Sequence, residues 1–516
     1  MVLDRRTFLR TGLVAGGVVG GGTILGAGAS AVAAPSLVRG GRPQLTHGVQ
    51  SGDVTAHGGV VWTRSDRTAR MLVDVSDRPD FKHARTIGGP LLTADTDFTG
   101  KTFLTGLPSG RQIHYRVRLD GDRISSAPTV GGFRTPSSGS SGHRDINFVW
   151  SGDLAGQGWG INPDFGGYRI FKSMAALEPD FFLCSGDFVY SDGPLTETVT
   201  LPDGRTWRNL VTAEKAKVAE TLAEYRGQFR YNLLDANLRA FNAAVPTIYQ
   251  WDDHEVVNNW YPGEILDDAR YTEKRVDVLA ARARQATIEY TPSAIRGANG
   301  RMYRKIEHGG LLDVFVVDMR TYKDPNGANN STSGPGLLGA EQLAWLKREL
   351  RASKATWKVI AADLPIGLIV PDGTASEGIA QGDGGRPLGR EREIADLLSY
   401  AKRHRVKNMV WLTADVHYTA AHFYDPAKAA FSDFDPFWEF VSGPLNAGAF
   451  GPNNLEGTFG PQLRFAKTPP AANSSPAEGF QFFGEVSIDA ESKELTVRLR
   501  DLNGTVLYTT DLHPAR

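Results

Sequence analysis

The sequence predicts an α/β protein, with a large α/β domain preceded by a smaller all-β domain. Residues 44–135 carry short strands that alternate apolar and polar side chains between turn residues. Residues 146–516 instead alternate apolar strands with helical stretches. Between them, residues 136–145 form a Ser- and Gly-rich linker within "TPSSGSSGHRD". A chain of 516 residues has room for both domains. Its formal charge of −1 argues against a nucleic-acid binder with a broad basic face. The single cysteine, Cys184, excludes an intrachain disulfide, and its apolar strand marks it as a buried, unreactive thiol.

Residues 1–34 read as a targeting segment rather than as fold. Arg5 and Arg6 are followed by Phe8 and Leu9, then by an apolar, glycine-rich run and the small residues Ala31 to Ala34. This order resembles a twin-arginine export signal. It implies cleavage after Ala33 or Ala34, passage through the twin-arginine translocation machinery, and a folded, secreted or cell-envelope product that acquires its metal before export. No other segment approaches the roughly 20 apolar residues of a spanning helix.

In the all-β region, "GVVWTR", "RMLVDVS", "KTFLTGL" and "IHYRVRL" are the strands of a small sandwich. "LPSGRQIHYRV" looks like the strand-and-corner region of a fibronectin type III-like module, with Ile113 where a corner tyrosine is expected. His47, His57, His83, His114 and His143 read as surface residues. Beyond the linker come strand "INFVWSGD", helix "YRIFKSMAALE" and strand "DFFLCSGD". Helices are expected within 211–244 and 272–290. Strands "LLDVFVVDMR", "WKVIAADLP" and "KNMVWLTADVH" follow, and the C-terminal segment is antiparallel around an Asn503-Gly504 turn.

One pattern recurs: a buried strand ends in aspartate, at Asp153, Asp187, Asp252/Asp253, Asp318, Asp363 and Asp415. One such Asp is ordinarily a cap or turn former. Repeated at strand after strand, it directs carboxylates to one crevice at the carboxyl ends of a sheet. "WDDHEVVNNW" (251–260) adds an imidazole and two amides between tryptophans, directly after the apolar strand "VPTIYQ". Hard cations take carboxylate and carbonyl oxygens, whereas imidazole suits a transition metal. Two cations about 3.5–4 Å apart can screen a phosphate ester, bind an attacking hydroxide and organise in-line displacement.

"SGDLAGQGW", "SGDFVYSDG", "WDDHEVVNNW" and "TADVHYTAAH" together resemble the motif series of the binuclear metallophosphoesterases. The Asp-Asp-His-Glu and Ala-Asp-Val-His variants are similar to those of the PhoD-like alkaline phosphatases. "LTHGVQSGDVTAHGGVVWTR", "DMRTYK" and "GPLNAGAFGPN" extend the likeness over almost the whole chain beyond the leader. The resemblance implies a two-sheet catalytic domain flanked by helices. It implies Asp153 and His417 on a first metal, iron(III), Asp187 bridging two metals, and Asp415 on the second, calcium. Asp253 and Asn258 are alternatives for the remaining ligand, which the sequence does not separate. His254 either orients the site or donates a proton to the leaving group. Tyr190, Arg320 and Arg230 are candidates to reach a phosphoryl oxygen, and His422 reads as a packing or supporting residue. Gln157 stands where many family members carry a cysteine that binds the iron, so the thiolate's charge and soft donor are missing. The implied activity is hydrolysis of phosphate monoesters, with diesters also expected, releasing inorganic phosphate. The alternative is a phospholipase D-like phosphodiesterase on the same scaffold.

Overall fold

A computed structural model describes residues 41–121, 124–138, 144–297, 300–334 and 336–515. The leader segment and His143 lie outside the described residues. Two large mixed sheets pack face to face. The first has nine strands, in the order β24-β23-β22-β8-β9-β12-β1-β2-β5. Its parallel centre is β8 (Ile146–Ser151), β9 (Phe181–Ser185) and β12 (Thr247–Gln250). On one side it is extended by the antiparallel β22 (Phe482–Ile488), β23 (Leu495–Asp501) and β24 (Val506–Leu512), the last two joined through the Asn503-Gly504 turn. On the other lie β1 (Leu45–Thr55), β2 (Gly58–Ser65) and β5 (Thr99–Thr105).

The second sheet has seven strands. Its parallel centre is β14 (Leu312–Val316), β15 (Trp357–Ala361), β18 (Met409–Thr413) and β20 (Phe437–Val441), with β13 (Arg304–His308), β19 (Thr419–Tyr424) and β21 (Pro461–Lys467) antiparallel at its margins. Alternation along the central strands explains the layering. Phe148, Trp150 and Leu183 point between the sheets, where they meet Val314, Val359 and Leu412. Their neighbours Val149, Phe182 and Cys184 point outward beneath helices α1 (Ile170–Ala175), α2 (Leu222–Asn232), α3 (Ala236–Ala244) and α4 (Val276–Tyr290). On the far side, Phe315, Ile360 and Trp411 pack under α5 (Gly339–Ala352) and α6 (Glu391–Arg403). The result is an α/β/β/α stack, and Cys184 is fully buried within it. Among the described residues, no helix is long and apolar enough to cross a membrane.

The N-terminal sandwich is real but not detached. Its second sheet is β4-β3-β6-β7, built from β3 (Ala69–Ser76), β4 (Arg85–Leu92), β6 (Gln112–Asp120) and β7 (Thr129–Arg134). It closes over β1, β2 and β5 around Val61, Met71, Tyr115 and Phe133. Through β1, which runs parallel to β12 with Gly52 opposite Thr247, the sandwich continues the catalytic sheet. The expectation that all five N-terminal histidines are surface residues fails at His47. That ring is buried, hydrogen-bonded to Thr46 Oγ1 at 2.6 Å, and held neutral by burial and by the nearby Arg64, Arg230 and Arg239, which push its pKa down to about 3.

Polar locks complete the junction. Arg304 of β13 grips the buried Asp53 of β1 with two bonds of 2.8 Å. Asp97, in the loop before β5, accepts Arg64 at 2.8 Å and also binds Arg230 of α2 and Tyr290 of α4. Asp97 sits at φ 51°, a left-handed conformation that Asn also tolerates. Burial alone would raise its pKa. The bonds from Arg64 and Tyr290 and the two arginine charges instead hold it below the ordinary carboxylate value. A depressed folded pKa contributes stability above the unfolded value, about 3.9, and loses it as pH falls through the lower folded value. Asp97→Asn is therefore expected to cost about 2–3 kcal/mol of unfolding free energy at neutral pH. Denaturant titrations should show the difference from the parent shrinking below about pH 4; a gap unchanged down to acid pH would contradict the assignment.

Candidate metal centre

The parallel strands of both sheets finish at the same edge of the stack, and their following loops carry Asp153, Asp187, Asp252, Asp253, Asp363 and Asp415. The backbone there is forced. Asp153 (φ 63°), Asp187 (φ 48°), Asp415 (φ 63°) and His417 (φ 60°) all occupy the left-handed region, which costs an L-residue about 1–2 kcal/mol. Gly186, at φ 98°, also lets two strand ends meet, because a Cβ there would collide with Asp252. Gly443 leaves the space that the Asp153 carboxylate fills.

Asp153, Asp187 and His417 place ligand atoms within 4.8 Å of one another. His417 Nδ1 donates to the Gly448 carbonyl at 2.5 Å, which leaves Nε2 as a bare acceptor 3.9 Å from Asp153 Oδ1. Burial pushes this imidazole's pKa down to about 4, so it is neutral, as a metal ligand must be. Tyr190 Oη lies 3.0 Å from the same Nε2. Both carboxylate oxygens of Asp153 are buried without a hydrogen-bond partner. A fully buried carboxylate in that state carries a large desolvation penalty, and its pKa is accordingly driven well above normal, chiefly by burial. The donor set, two carboxylates, a neutral imidazole and a phenol, fits a hard trivalent or divalent cation.

Asp187 also belongs to a second group with Asp253 and His254, and Asp253 to a third with Asp252 and Asp415. Asp187 is thus shared by the first two groups, and Asp253 by the second and third. His254 Nδ1 bonds Asp192 Oδ1 at 2.7 Å, which fixes the ring. Burial would lower the His254 pKa, but Asp192, Asp253 and Asp187 outweigh it and raise it.

Glu255 ties the loops together. Its Oε1 accepts the main-chain N–H of Phe188 at 2.8 Å, and its Oε2 accepts those of Asp187 at 3.1 Å and Asp252 at 2.7 Å. Ser191 closes the same seam by donating to the carbonyls of His254 and Glu255. The two tryptophans that bracket the third motif meet edge-on at 5.7 Å. Trp251 Nε1 is held by Asp318 at 3.0 Å, so the pair pins the loop at both ends.

Three sequence expectations need correction. Arg320 does not face a substrate. It is fully buried, bonding Asp252 at 2.7 Å, Asp363 at 2.9 Å and Asp415 at 3.0 Å, and it also pairs with Glu377. Every direction of its planar fork is taken by a carboxylate. Arg230 is committed to Asp97 and to Glu214 at 2.7 Å, in the junction with the sandwich. Asn258 is exposed and contributes its main-chain N–H to Asp192 Oδ2 at 2.9 Å, whereas Asp253 lies inside the cluster. His422 packs as expected, 3.4 Å from Glu439. Asp192, Glu255 and Glu377 are the residues that sequence reasoning missed. The first two stand within the quoted motifs, but their roles depend on geometry that spacing does not reveal.

Comparison with known proteins identifies the family and the fold. Residues 148–499 match the PhoD-like phosphatase family, and residues 31–137 match the PhoD-like phosphatase N-terminal domain. Alkaline phosphatase D of Bacillus subtilis (strain 168) is 29% identical over 442 residues, covering 80% of this chain and 71% of the relative. The solved structure of PhoD superposes with a TM-score of 0.68 at 21% identity, over 93% of this chain and 90% of its own. The purple acid phosphatase PPD1 from yellow lupin (Lupinus luteus) seeds gives 0.55 at 13% identity, over 92% and 74%. The chain belongs to the PhoD-like phosphatases and is a metal-binding phosphoric ester hydrolase.

Proposed function

We propose that this chain is an exported alkaline phosphatase that hydrolyses phosphate monoesters, and diesters as well, and that the three linked groups are its catalytic centre. The observation that carries the reading is Asp153, fully buried with both oxygens unpartnered beside Asp187, His417 and Tyr190. Asp153, Asp187, His417 and Tyr190 would hold iron(III). Asp187, Asp253 and Asp415, with Asp252 beside them, would hold calcium. Bound there, the cations would neutralise the phosphate's charge and activate water. The phenol of Tyr190, held protonated by burial and by the charges of Asp187 and Asp153, would offer a neutral oxygen beside His417 and would not restore the thiolate charge lost at Gln157. His254, fixed through Nδ1 by Asp192, would donate a proton to the departing oxygen. Arg320 would keep Asp252 and Asp415 in position without touching substrate. Export by the twin-arginine route is the reading of residues 1–34.

Asp187→Asn should reduce turnover at least about a hundredfold and lower the metal content by elemental analysis. Retained activity with full metal occupancy would remove Asp187 from the centre. For the two arginines the expected effects differ in kind. Arg320→Met should destabilise the fold by about 3–5 kcal/mol, because it strands buried carboxylates. Arg230→Met should leave KM for p-nitrophenyl phosphate unchanged; a raised KM would return it to the substrate site.

The choice of ester is tested by comparing p-nitrophenyl phosphate with bis-p-nitrophenyl phosphate, each with calcium and with chelator. Calcium-supported monoester turnover exceeding diester turnover is expected. A strong diester preference would instead favour the phospholipase D-like phosphodiesterase, and chelator-resistant turnover would contradict the metal assignment.

A further inference from the structure

At the opposite edge of the second sheet, where β15 and β18 begin, lies an open groove of about 520 Å³. Seven residues separate Thr356 from Asp363, and Asn408 from Asp415, so the groove is roughly 20 Å from the metal centre at about 3.3 Å per residue. Arg351, Lys358, Arg405, Lys407 and Lys493 line it with His404, and no carboxylate does among the described residues. Lys407 pairs with Asp435 at 2.6 Å. Arg351, Arg405 and Lys493 have no ion-pair partner among the described residues.

Helices α5 and α6 both end here, and cations at helix C-termini are ordinarily there to offset the dipole. Two such ends supply only about one unit of negative charge. With Asp435 and Asp313 added, the latter bonded by Ser353 of the lining at 2.6 Å and attracting Lys358, the sum is about three negative units against five cations. The excess is local, because the whole chain carries a formal charge of −1. Arg405 (φ 55°) and Lys493 (φ 62°) are both held in the left-handed conformation, which fixes the loops that carry them.

We propose that this groove binds a flexible polyanion, a chain with closely spaced oxyanions, and holds it on the enzyme away from the catalytic centre. The lining selects this class. Lys358 Nζ is buried against the Ala355 carbonyl at 2.6 Å, which leaves Arg351, Arg405, Lys407 and Lys493 to meet an elongated chain of oxyanions along the groove. The lining contains no Phe, Tyr or Trp on which bases could stack, and one ring face of His404 is turned to Tyr400 at 4.2 Å.

The test is binding of end-labelled inorganic polyphosphate to the metal-loaded enzyme by fluorescence anisotropy, at several salt concentrations. Arg405→Glu with Lys493→Glu should weaken binding at least tenfold and flatten its salt dependence, with p-nitrophenyl phosphate turnover unchanged. Lys82→Glu with Arg111→Glu, on the exposed face of the sandwich, makes the same change in net charge and should leave binding within twofold. Equal weakening in both double variants would overturn the proposal. So would polyphosphate affinity that survives loss of Arg405 and Lys493, or binding confined to phosphatidylglycerol vesicles.

Discussion

Buried negative charge is the constraint around which this molecule is built. Asp153, Asp187, Asp252, Asp253, Asp363 and Glu377 are almost wholly excluded from water, and Asp415 joins them at the same edge of the sheets. The resident cations at this set are Arg320, Lys323, which lies 2.8 Å from Glu377, and His254, whose pKa the surrounding carboxylates raise. Three cations cannot balance so many carboxylates in a low-dielectric interior. The rest of the imbalance must be met by protons or by metal ions, and only metal ions leave the carboxylates charged at alkaline pH. Arg320 divides the labour. It occupies one side of Asp252 and Asp415, while Asp153, which has no protein partner, remains for an external cation.

Holding those groups close opposes their mutual repulsion, and the fold supplies the opposing force through its main chain. Glu255 is the centre of that arrangement. A carboxyl side chain serves as the clamp because it accepts main-chain N–H groups from both loops, so it satisfies donors that would otherwise be stranded where the strands stop. The left-handed residues at Asp153, Asp187, Asp415 and His417 store strain that the surrounding packing must offset. The sheets do this by burying Trp150, Leu183 and Leu412 just behind the loops. Trp251 and Trp260 add the remaining support, with Asp318 fixing the indole of Trp251.

Much of this was legible in the sequence because periodicity and strand endings report on burial. The repeated strand-then-Asp pattern located the crevice, and Trp251 and Trp260 marked a loop tied into the core. Legibility failed where a role depends on which partner a side chain meets. Arg320 and Arg230 carry the same guanidinium, and nothing in their flanking residues shows that one is ringed by carboxylates and the other joins two domains. Glu255 and Asp192 sit inside recognised motifs, yet they act on backbone N–H groups and on an imidazole brought near by folding. The pairing of β1 with β12 was hidden for a related reason. It joins residues almost two hundred positions apart, and a strand's sequence states its period rather than its neighbour.

The second sheet also separates charge along its length. Lys358 stands at the start of β15 and Asp363 just past its end; Arg405 and Lys407 precede β18, and Asp415 follows it. Helices α5 and α6 run back against these strands, so their partial negative ends face the basic groove and their partial positive ends face the acidic edge. Each helix therefore attenuates the charge collected at both edges without cancelling it. The same parallel topology that gathers carboxylates at one edge leaves strand starts and helix ends at the other, where cations are favoured. An acidic metal-binding edge and a basic groove are then two consequences of one strand direction, and the apolar core between them keeps the two fields from neutralising each other.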